Sequence, residues 1–364
     1  MRIGSIHAGA GEHGFGYLEV AGTRSGLNLE IPVHVFVGTE PGPTLLVQGA
    51  VHGTEPIGTL AILDFVTRID PRGMRGSVIA VPVVNRLGFA LGQRCCPIDD
   101  KDVSCLFPGN PGGSISDQIA HVYFEEVIRK ADVMIDFHQG GLTSYERYVL
   151  FTEEANPENL SESETIRRKL VVAFGLESAA FFPAGTFDEN QSQAIADAGV
   201  VQFTVELSGG AGWFCHGEED VRAGERGIWN TMRAMRMIDG EFESDGPLCT
   251  IYNACVVIWK PAIDGLFIRE KGPGTLVGDG ETYGRVVDPF TGRELTAIRN
   301  TREAVVIPGG HEWPALGRTT VGILGVVDEI VDRRTVDLYV RELDGGQECC
   351  AGRSGSGRAT GQGC

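Results

Sequence analysis

The sequence predicts an α/β fold with a mainly parallel sheet, followed by a smaller all-β domain. Three observations support this prediction. Buried strands alternate with helical periods between residues 44 and 239, and short β-like runs without a helical period fill residues 250–343. Glycine accounts for 51 of the 364 residues, about twice its usual share, which favours many tight turns over long helical rods.

The predicted elements begin with two strands in residues 15–37, where apolar and polar side chains alternate with the period of two typical of antiparallel strands. A helix at 114–131 is supported by the capping pattern Ser114-x-x-Asp117 in front of an apolar period. The other elements, in chain order, are a buried strand at 44–53, a helix at 55–69, strands at 77–85 and 132–138, helices at 161–175 and 192–198, a strand at 200–210 and a helix at 220–239.

The domain organisation is predicted from shifts in composition. The length exceeds what one compact core usually holds, and the polar stretch EFESDGP separates the helical part from the β-rich part. We therefore expect an α/β catalytic domain at 1–245 and an all-β domain at 246–344. Residues 345–364 are rich in Gly and Ser without periodicity, which is typical of a flexible tail.

Charge and cysteine content exclude several classes of protein. The chain has 31 Lys and Arg against 49 Asp and Glu, a net charge of −18, which disfavours binding to nucleic acids and to anionic membranes. No stretch approaches the roughly 18 consecutive apolar residues of a membrane span. The nine cysteines are odd in number and show no disulfide framework, which favours a cytoplasmic protein with reduced thiols.

Four residues near predicted strand ends are the candidates for metal binding and proton transfer. His52 and Glu55 lie in GAVHGTEP, where a buried strand gives way to a helix, and His138 ends the strand DVMIDFH. Two histidines and one glutamate match a catalytic zinc that keeps one position open, although iron and manganese accept the same ligands. Glu206, in TVELSGG, ends another strand and could take a proton from water and return it to a leaving amine.

These motifs resemble the succinylglutamate desuccinylase/aspartoacylase family, whose members are relatives of zinc carboxypeptidases. GAVHGTEP looks like the family element G-x-H-G-x-E, and the likeness continues, in family order over residues 15–330, through VPVVNRLGFALGQR, FPGNPGGSISDQIAH, DFHQGG and TVELSGG. The resemblance implies a zinc-carboxypeptidase-like mixed, mainly parallel sheet flanked by helices. It also implies one Zn²⁺ per chain on His52, Glu55 and His138, with Glu206 as the catalytic carboxylate and Arg94 polarising the scissile carbonyl.

One motif departs from the family pattern. Where members typically have D-L-N-R before F-P-G, this chain has Asp-Val-Ser104-Cys105. The Asn-Arg pair that usually grips the substrate's carboxylate is absent, and a thiol cannot replace a bidentate arginine. We expect an amine half without the usual α-carboxylate, or one held by another group such as Arg86. His216 is a further candidate for the pocket, and Cys105 is also considered as a nucleophile or extra ligand.

The sequence therefore predicts a zinc-dependent amidohydrolase, a deacylase that cleaves the amide of a small N-acyl amine or N-acyl amino-acid derivative. Acetyl and succinyl are the leading acyl groups, by family analogy. One alternative is a zinc carboxypeptidase that acts on short peptides. Another is a zinc-binding module without catalysis. The expected partner is a small-molecule N-acyl substrate, with no nucleic acid and no membrane, and a homo-oligomer is left open.

Overall fold

A computed structural model describes residues 1–22, 28–139, 147–152, 160–182, 189–207, 217–244, 246–259, 263–272, 275–301, 303–306 and 322–332. The α-helices in this part of the chain are α1 (Pro56–Arg68), α2 (Arg86–Leu91), α3 (Ile115–Glu126), α4 (Glu162–Phe174), α5 (Glu189–Asp197) and α6 (Gly217–Ala234). The strands of the first half are β1 (Arg2–Ile3), β2 (Ile6–His7), β3 (Glu12–Gly22), β4 (Asn28–Val37), β5 (Glu40–Gln48), β6 (Arg75–Val81), β7 (Val133–Gln139) and β8 (Tyr148–Thr152). The later strands are β9 (Ser178–Phe182), β10 (Val201–Leu207), β11 (Leu248–Trp259), β12 (Leu266–Arg269), β13 (Leu276–Val277), β14 (Thr282–Val287), β15 (Glu294–Arg299), β16 (Ala304–Val306) and β17 (Gly322–Asp332).

A twelve-stranded mixed sheet organises the protein, in the order β13-β16-β17-β11-β9-β8-β10-β7-β5-β6-β4-β3. Its centre is parallel: β10 pairs with β7, β7 with β5 and β5 with β6. The hairpin of β3 and β4 adds an antiparallel edge to β6. Two smaller sheets, β1-β2 and β12-β14-β15, lie outside it. The predicted fold class, a mainly parallel sheet flanked by helices with additional C-terminal strands, is confirmed.

Helices cover both faces of the sheet because buried strands send alternate side chains to opposite sides. In β5, Leu45 and Val47 belong to one apolar cluster, which includes Phe65 of α1, and Leu46 belongs to the other, which includes Tyr123 of α3. Both clusters consist of side chains that are almost completely buried. The central strands are thus held firmly from two sides, and their ends form a rigid edge for a site.

Several elements differ from the sequence-based expectation. The short helix α2 and the strands β8 and β9 were not predicted, and β8 pairs antiparallel with β10 among strands that otherwise pair in parallel. The strand β11 pairs in parallel with β9, so the large sheet continues past residue 245. The division into 1–245 and 246–344 stays a prediction, and the tail 345–364 lies outside the described residues. None of the described helices is long and apolar enough to cross a membrane.

Candidate metal centre

The predicted metal ligands and Glu206 lie at the carboxyl ends of three neighbouring parallel strands, β5, β7 and β10. The segment between β5 and α1 carries His52 and Glu55, whereas His138 is the penultimate residue of strand β7. In the register of the sheet, His138 is the direct partner of Glu206 in β10. Because parallel strands end at the same edge of a sheet, these side chains are brought to one place.

His52, Glu55 and His138 form a cluster of three groups that could hold a metal ion. Nδ1 of His52 lies 2.9 Å from Oε1 of Glu55, Nδ1 of His138 lies 3.1 Å from Oε2, and the two Nδ1 atoms are 3.1 Å apart. Ligand atoms bound at the usual zinc distances in a tetrahedron are separated by roughly 3.3 Å. The donor set and its spacing therefore fit one small divalent cation, and its chemistry suits zinc as well as iron or manganese.

The other ring nitrogen of each histidine faces a carboxylate. Nε2 of His138 lies 3.1 Å from Oδ2 of Asp136, and Nε2 of His52 lies 3.1 Å from Oδ2 of Asp102. A carboxylate at this position accepts the Nε2 proton and leaves Nδ1 as the nitrogen that faces the cluster. Both imidazoles are thus oriented for coordination through Nδ1.

The charges of the cluster shift the pKa values of its members. Burial would lower the pKa of His138, but the charges of Asp136 and Glu55 and their hydrogen bonds together raise this pKa well above its usual value. Burial would also lower the pKa of His52, but hydrogen bonds with Asp102 and Glu55 raise this pKa above its usual value. Burial would raise the pKa of Glu55, yet hydrogen bonds from the two imidazoles hold it well below its usual range. A metal that binds here has to displace protons from the imidazoles.

The segment that carries His52 and Glu55 is shaped by two small residues. Ala50 adopts a left-handed conformation, with φ of 47°, so the sharp turn after β5 falls on an alanine rather than on a glycine. Gly53 is needed for space, because a Cβ atom there would lie 2.0 Å from the carbonyl carbon of Gly88 in α2. Proline at position 56 begins α1, a favoured position for proline. Glu55 is thereby held at the N-terminal end of α1.

Arg94 borders the cluster on its solvent side. Its Nη1 donates to Oε1 of Glu55 over 3.1 Å, and its Nη2 donates to Oδ2 of Asp102 over 3.3 Å. The side chain is 49% exposed, and a guanidinium has five N–H donors, of which these contacts use two. Its position fits the predicted contact with a developing oxyanion, and that role stays a prediction.

Glu206 lies beside the cluster on β10. Burial raises its pKa to about 7, whereas the positive charge of His138 acts in the opposite direction and the negative charge of Glu55 adds to the increase. A carboxyl group that titrates near neutral pH can both accept and release a proton. The structure thus places Glu206 where the sequence analysis expected the catalytic carboxylate, and its role in turnover stays a prediction.

The predicted substrate-binding residues have more varied surroundings. The Arg86 guanidinium lies 5.3 Å from the centre of the Tyr17 ring, and its Nη1 donates to the backbone oxygen of Glu30 over 3.1 Å. Ser104 is buried, and its hydroxyl donates to Oδ1 of Asp102 over 2.7 Å. Cys105 is exposed, and its Sγ lies 3.8 Å from Oγ of Ser104. A contact of any of these with substrate stays a prediction.

His216 lies outside the described residues. Two residues of the centre, Asp102 and Asp136, are not among the site residues predicted from the sequence. Asp102 lies in the acidic run IDDKD, which offers no local signal for a contact with His52. A signal for Asp136 exists, because residues two apart on a strand share one face, so the pattern Asp-x-His places Asp136 beside His138.

Comparisons with known proteins show a family and related structures. A family model described as the succinylglutamate desuccinylase/aspartoacylase catalytic domain matches residues 41–235. The chain is 30% identical over 331 residues to N-alpha-acetyl-L-2,4-diaminobutyric acid deacetylase of Halomonas elongata, with 88% of this chain and 93% of the relative covered.

Two solved structures share the architecture over most of their length. The succinylglutamate desuccinylase/aspartoacylase from Rhodobacter sphaeroides superposes with a TM-score of 0.73 at 26% identity, covering 91% of this chain and 100% of the other. The product-bound ectoine utilization protein EutE (DoeB) from Ruegeria pomeroyi gives a TM-score of 0.72 at 25% identity, covering 87% and 95%.

Proposed function

The chain belongs to the succinylglutamate desuccinylase/aspartoacylase family, and from this premise we propose that it is a metal-dependent deacylase that hydrolyses the amide bond of a small N-acylated amine. The observation that carries the proposal is the cluster of His52, Glu55 and His138 with Glu206 as the strand partner of His138. A family deacylase needs a metal site and a group that moves protons. These four residues supply both in one place.

In this proposal, His52, Glu55 and His138 hold one Zn²⁺. When bound, a divalent metal supplies Lewis acidity, which polarises the acyl carbonyl and lowers the pKa of water. Glu206 accepts a proton from the attacking water as the water oxygen bonds to the carbonyl carbon. Glu206 then returns the proton to the amine nitrogen as the C–N bond breaks. Arg94 donates N–H groups to the negative charge that develops on the carbonyl oxygen.

The substrate class follows from the relatives and from the missing Asn-Arg pair. We propose an N-acetylated amine that carries a second amino group, because the curated relative is named as a deacetylase of an N-acetylated diamino acid. Ser104 and Cys105 offer no guanidinium to a carboxylate, so a dianionic N-succinyl amino acid is a poor fit. The net charge of −18 also disfavours a multiply anionic substrate.

A panel of substrates tests this choice. It pairs N-acetyl and N-succinyl amines, with and without an α-carboxylate and with and without a second amino group, and includes unmodified dipeptides. We expect the highest kcat/KM for the N-acetylated diamines. Faster cleavage of dipeptides would support the carboxypeptidase alternative, and turnover of none of these compounds by zinc-loaded protein would support the non-catalytic alternative.

The role of Glu206 is tested by Glu206→Gln. We expect stoichiometric zinc by metal analysis and a decrease of about 10²–10⁴-fold in kcat, because the amide cannot accept a proton. Gln202→Ala, at the other end of β10, is the matched control and should keep both properties. Activity that survives in Glu206→Gln would place the base elsewhere.

A further inference from the structure

A buried chain of hydrogen bonds leads from the interior of the protein to the metal-facing histidine His138. The Tyr123 hydroxyl donates to Oε1 of Gln48 over 2.7 Å, and Nε2 of Gln48 donates to Oδ1 of Asp136 over 2.8 Å. The second oxygen of Asp136 lies 3.1 Å from Nε2 of His138. Tyr123, Gln48 and Asp136 are all essentially inaccessible to solvent. Water therefore does not compete for these contacts.

We propose that Tyr123 and Gln48 are positioning residues that select the tautomer and ring orientation of His138, and through it the strength of metal binding. This inference rests on the metal site of the proposed function. It adds two residues that do not contact the cluster directly. In the described part of the chain, neither Tyr123 nor Gln48 forms a hydrogen bond to His52, Glu55 or His138.

The direction of the chain follows from the chemistry of its members. An ionised carboxylate only accepts hydrogen bonds, so the group of Gln48 that faces Asp136 must be the NH₂ group. The carbonyl oxygen of Gln48 then faces Tyr123 and requires a donor, which the hydroxyl provides. If the Gln48 amide were reversed, its oxygen would lie against the Asp136 carboxylate, and that contact would be repulsive. Asp136 thus sets the orientation of the Gln48 amide, and the Tyr123 hydroxyl, as the donor to Oε1, holds the side chain in place.

The same logic continues to the imidazole. With one Asp136 oxygen occupied by Gln48, the other is the acceptor for Nε2–H of His138. The proton then stays on Nε2, and the lone pair of Nδ1 is directed at the cluster. Outer partners of this kind typically change metal affinity 10–100-fold when they are removed. Asp136 reaches His138 directly, so we expect smaller effects from Gln48 and Tyr123.

The elements of the fold explain why this chain is rigid. Tyr123 lies on α3, Gln48 at the end of β5 and Asp136 on β7, and β5 and β7 are hydrogen-bonded neighbours with Gln48 opposite Asp136. Helix and strands pack through the apolar cluster that includes Tyr123. The position of His138 is therefore coupled to the packing of α3 on the sheet.

Tyr123→Phe is the decisive variant, because it removes one hydroxyl and leaves the ring. Tyr283→Phe is the matched control: Tyr283 is equally buried but lies on β14 in the separate three-stranded sheet. Zinc affinity is measured by competition with a chromophoric chelator, and the imidazole of His138 is followed by its ¹H and ¹⁵N chemical shifts. Steady-state kinetics of the zinc-loaded enzyme accompany both.

For Tyr123→Phe we expect a zinc dissociation constant about 3–10-fold higher, a shifted or broadened Nε2–H resonance of His138, and a lower kcat at unchanged KM. Tyr283→Phe should change none of these. Gln48→Met should exceed Tyr123→Phe in each measurement, since it removes both links. The inference would be overturned if Tyr123→Phe matched Tyr283→Phe in zinc affinity and left the His138 resonances unchanged.

The readouts separate this inference from the proposed function. Zinc affinity and imidazole shifts do not depend on turnover, so they can support the positioning role even if no acylated amine is hydrolysed. If Gln48→Met fails to fold, Tyr123→Phe alone decides the question, because it preserves nearly all of the buried volume.

Discussion

The two histidines of the candidate metal centre have the same kind of partner in different surroundings. On the inner side, His138 pairs with Asp136, whose side chain is 2% exposed and is held by Gln48. On the outer side, His52 pairs with Asp102, whose side chain is 21% exposed and contacts Arg94. The comparison indicates that the two sides act differently. The inner side holds His138 in a fixed orientation, whereas the outer side connects His52 to Arg94, which is exposed to solvent.

This difference has a physical basis in solvent access. A hydrogen bond buried away from water has no alternative partner, so its geometry persists and its loss is costly. A contact near solvent can be exchanged for water at little cost. We therefore expect variants on the inner side to lower the stability of the fold as well as to weaken metal binding, and variants on the outer side to act on metal binding or catalysis with little effect on stability.

Arg94→Ala should show the largest effect and tests the outer side. We expect kcat to fall by about 10²–10³-fold, because the N–H groups aimed at the developing oxyanion are lost, while zinc stoichiometry and the free energy of unfolding change little. Kinetics, metal analysis and urea unfolding measure the three quantities. Arg129→Ala is the control, since Arg129 is similarly exposed and pairs with Glu125, which is not part of the cluster. An equal loss of zinc and of kcat would contradict a division between the two sides.

The paired variants Asp136→Asn and Asp102→Asn compare the two sides directly. Both should raise the zinc dissociation constant by about 10–100-fold, since each removes the carboxylate behind one imidazole. Only Asp136→Asn should also lower the free energy of unfolding, by about 1–3 kcal/mol, because it leaves buried donors without their acceptor. Zinc competition and urea unfolding in the presence of a chelator separate the two effects. Similar losses of stability would show that burial does not distinguish the sides.

Gly53→Ala should give the smallest effect of the series. The added Cβ meets the backbone of Gly88, so the segment with His52 and Glu55 must move away from α2. We expect a loss of about 1–3 kcal/mol in the free energy of unfolding and weaker zinc binding. Gly73→Ala is the matched control, because nothing lies within 4 Å of a Cβ there. If both variants unfolded at the same urea concentration, the close approach would not constrain the centre.

Sequence patterns near the site were informative because glycine lies close to each strand end there and Pro56 follows Glu55. The buried strand before His52 and the helix after Glu55 were predicted at 44–53 and 55–69, and the structure has them at Glu40–Gln48 and Pro56–Arg68. The glycines of this motif do not make the sharp turn: the left-handed residue is Ala50, and Gly53 serves close packing against α2.

Other features had no local signal. The strands β8 and β9 are five residues each, too short for periodicity to separate them from loops. The antiparallel pairing of β8 with β10 depends on which strands become neighbours, and residue types do not encode this. Asp102 belongs to an acidic run that resembles a solvated loop, and only its contact with His52 reveals its role.

By itself, the sequence determined the alternation of strands and helices, the identity of the metal-ligand candidates and the family resemblance, because periodicity and short motifs are local properties. Tertiary structure alone decided that Asp102 stands behind His52 and how deeply each carboxylate is buried. Residues 48 and 123 meet Asp136 of β7 only after β5, β7 and α3 have packed. Their hydrogen bonds depend on distances between elements, which no spacing along the chain specifies.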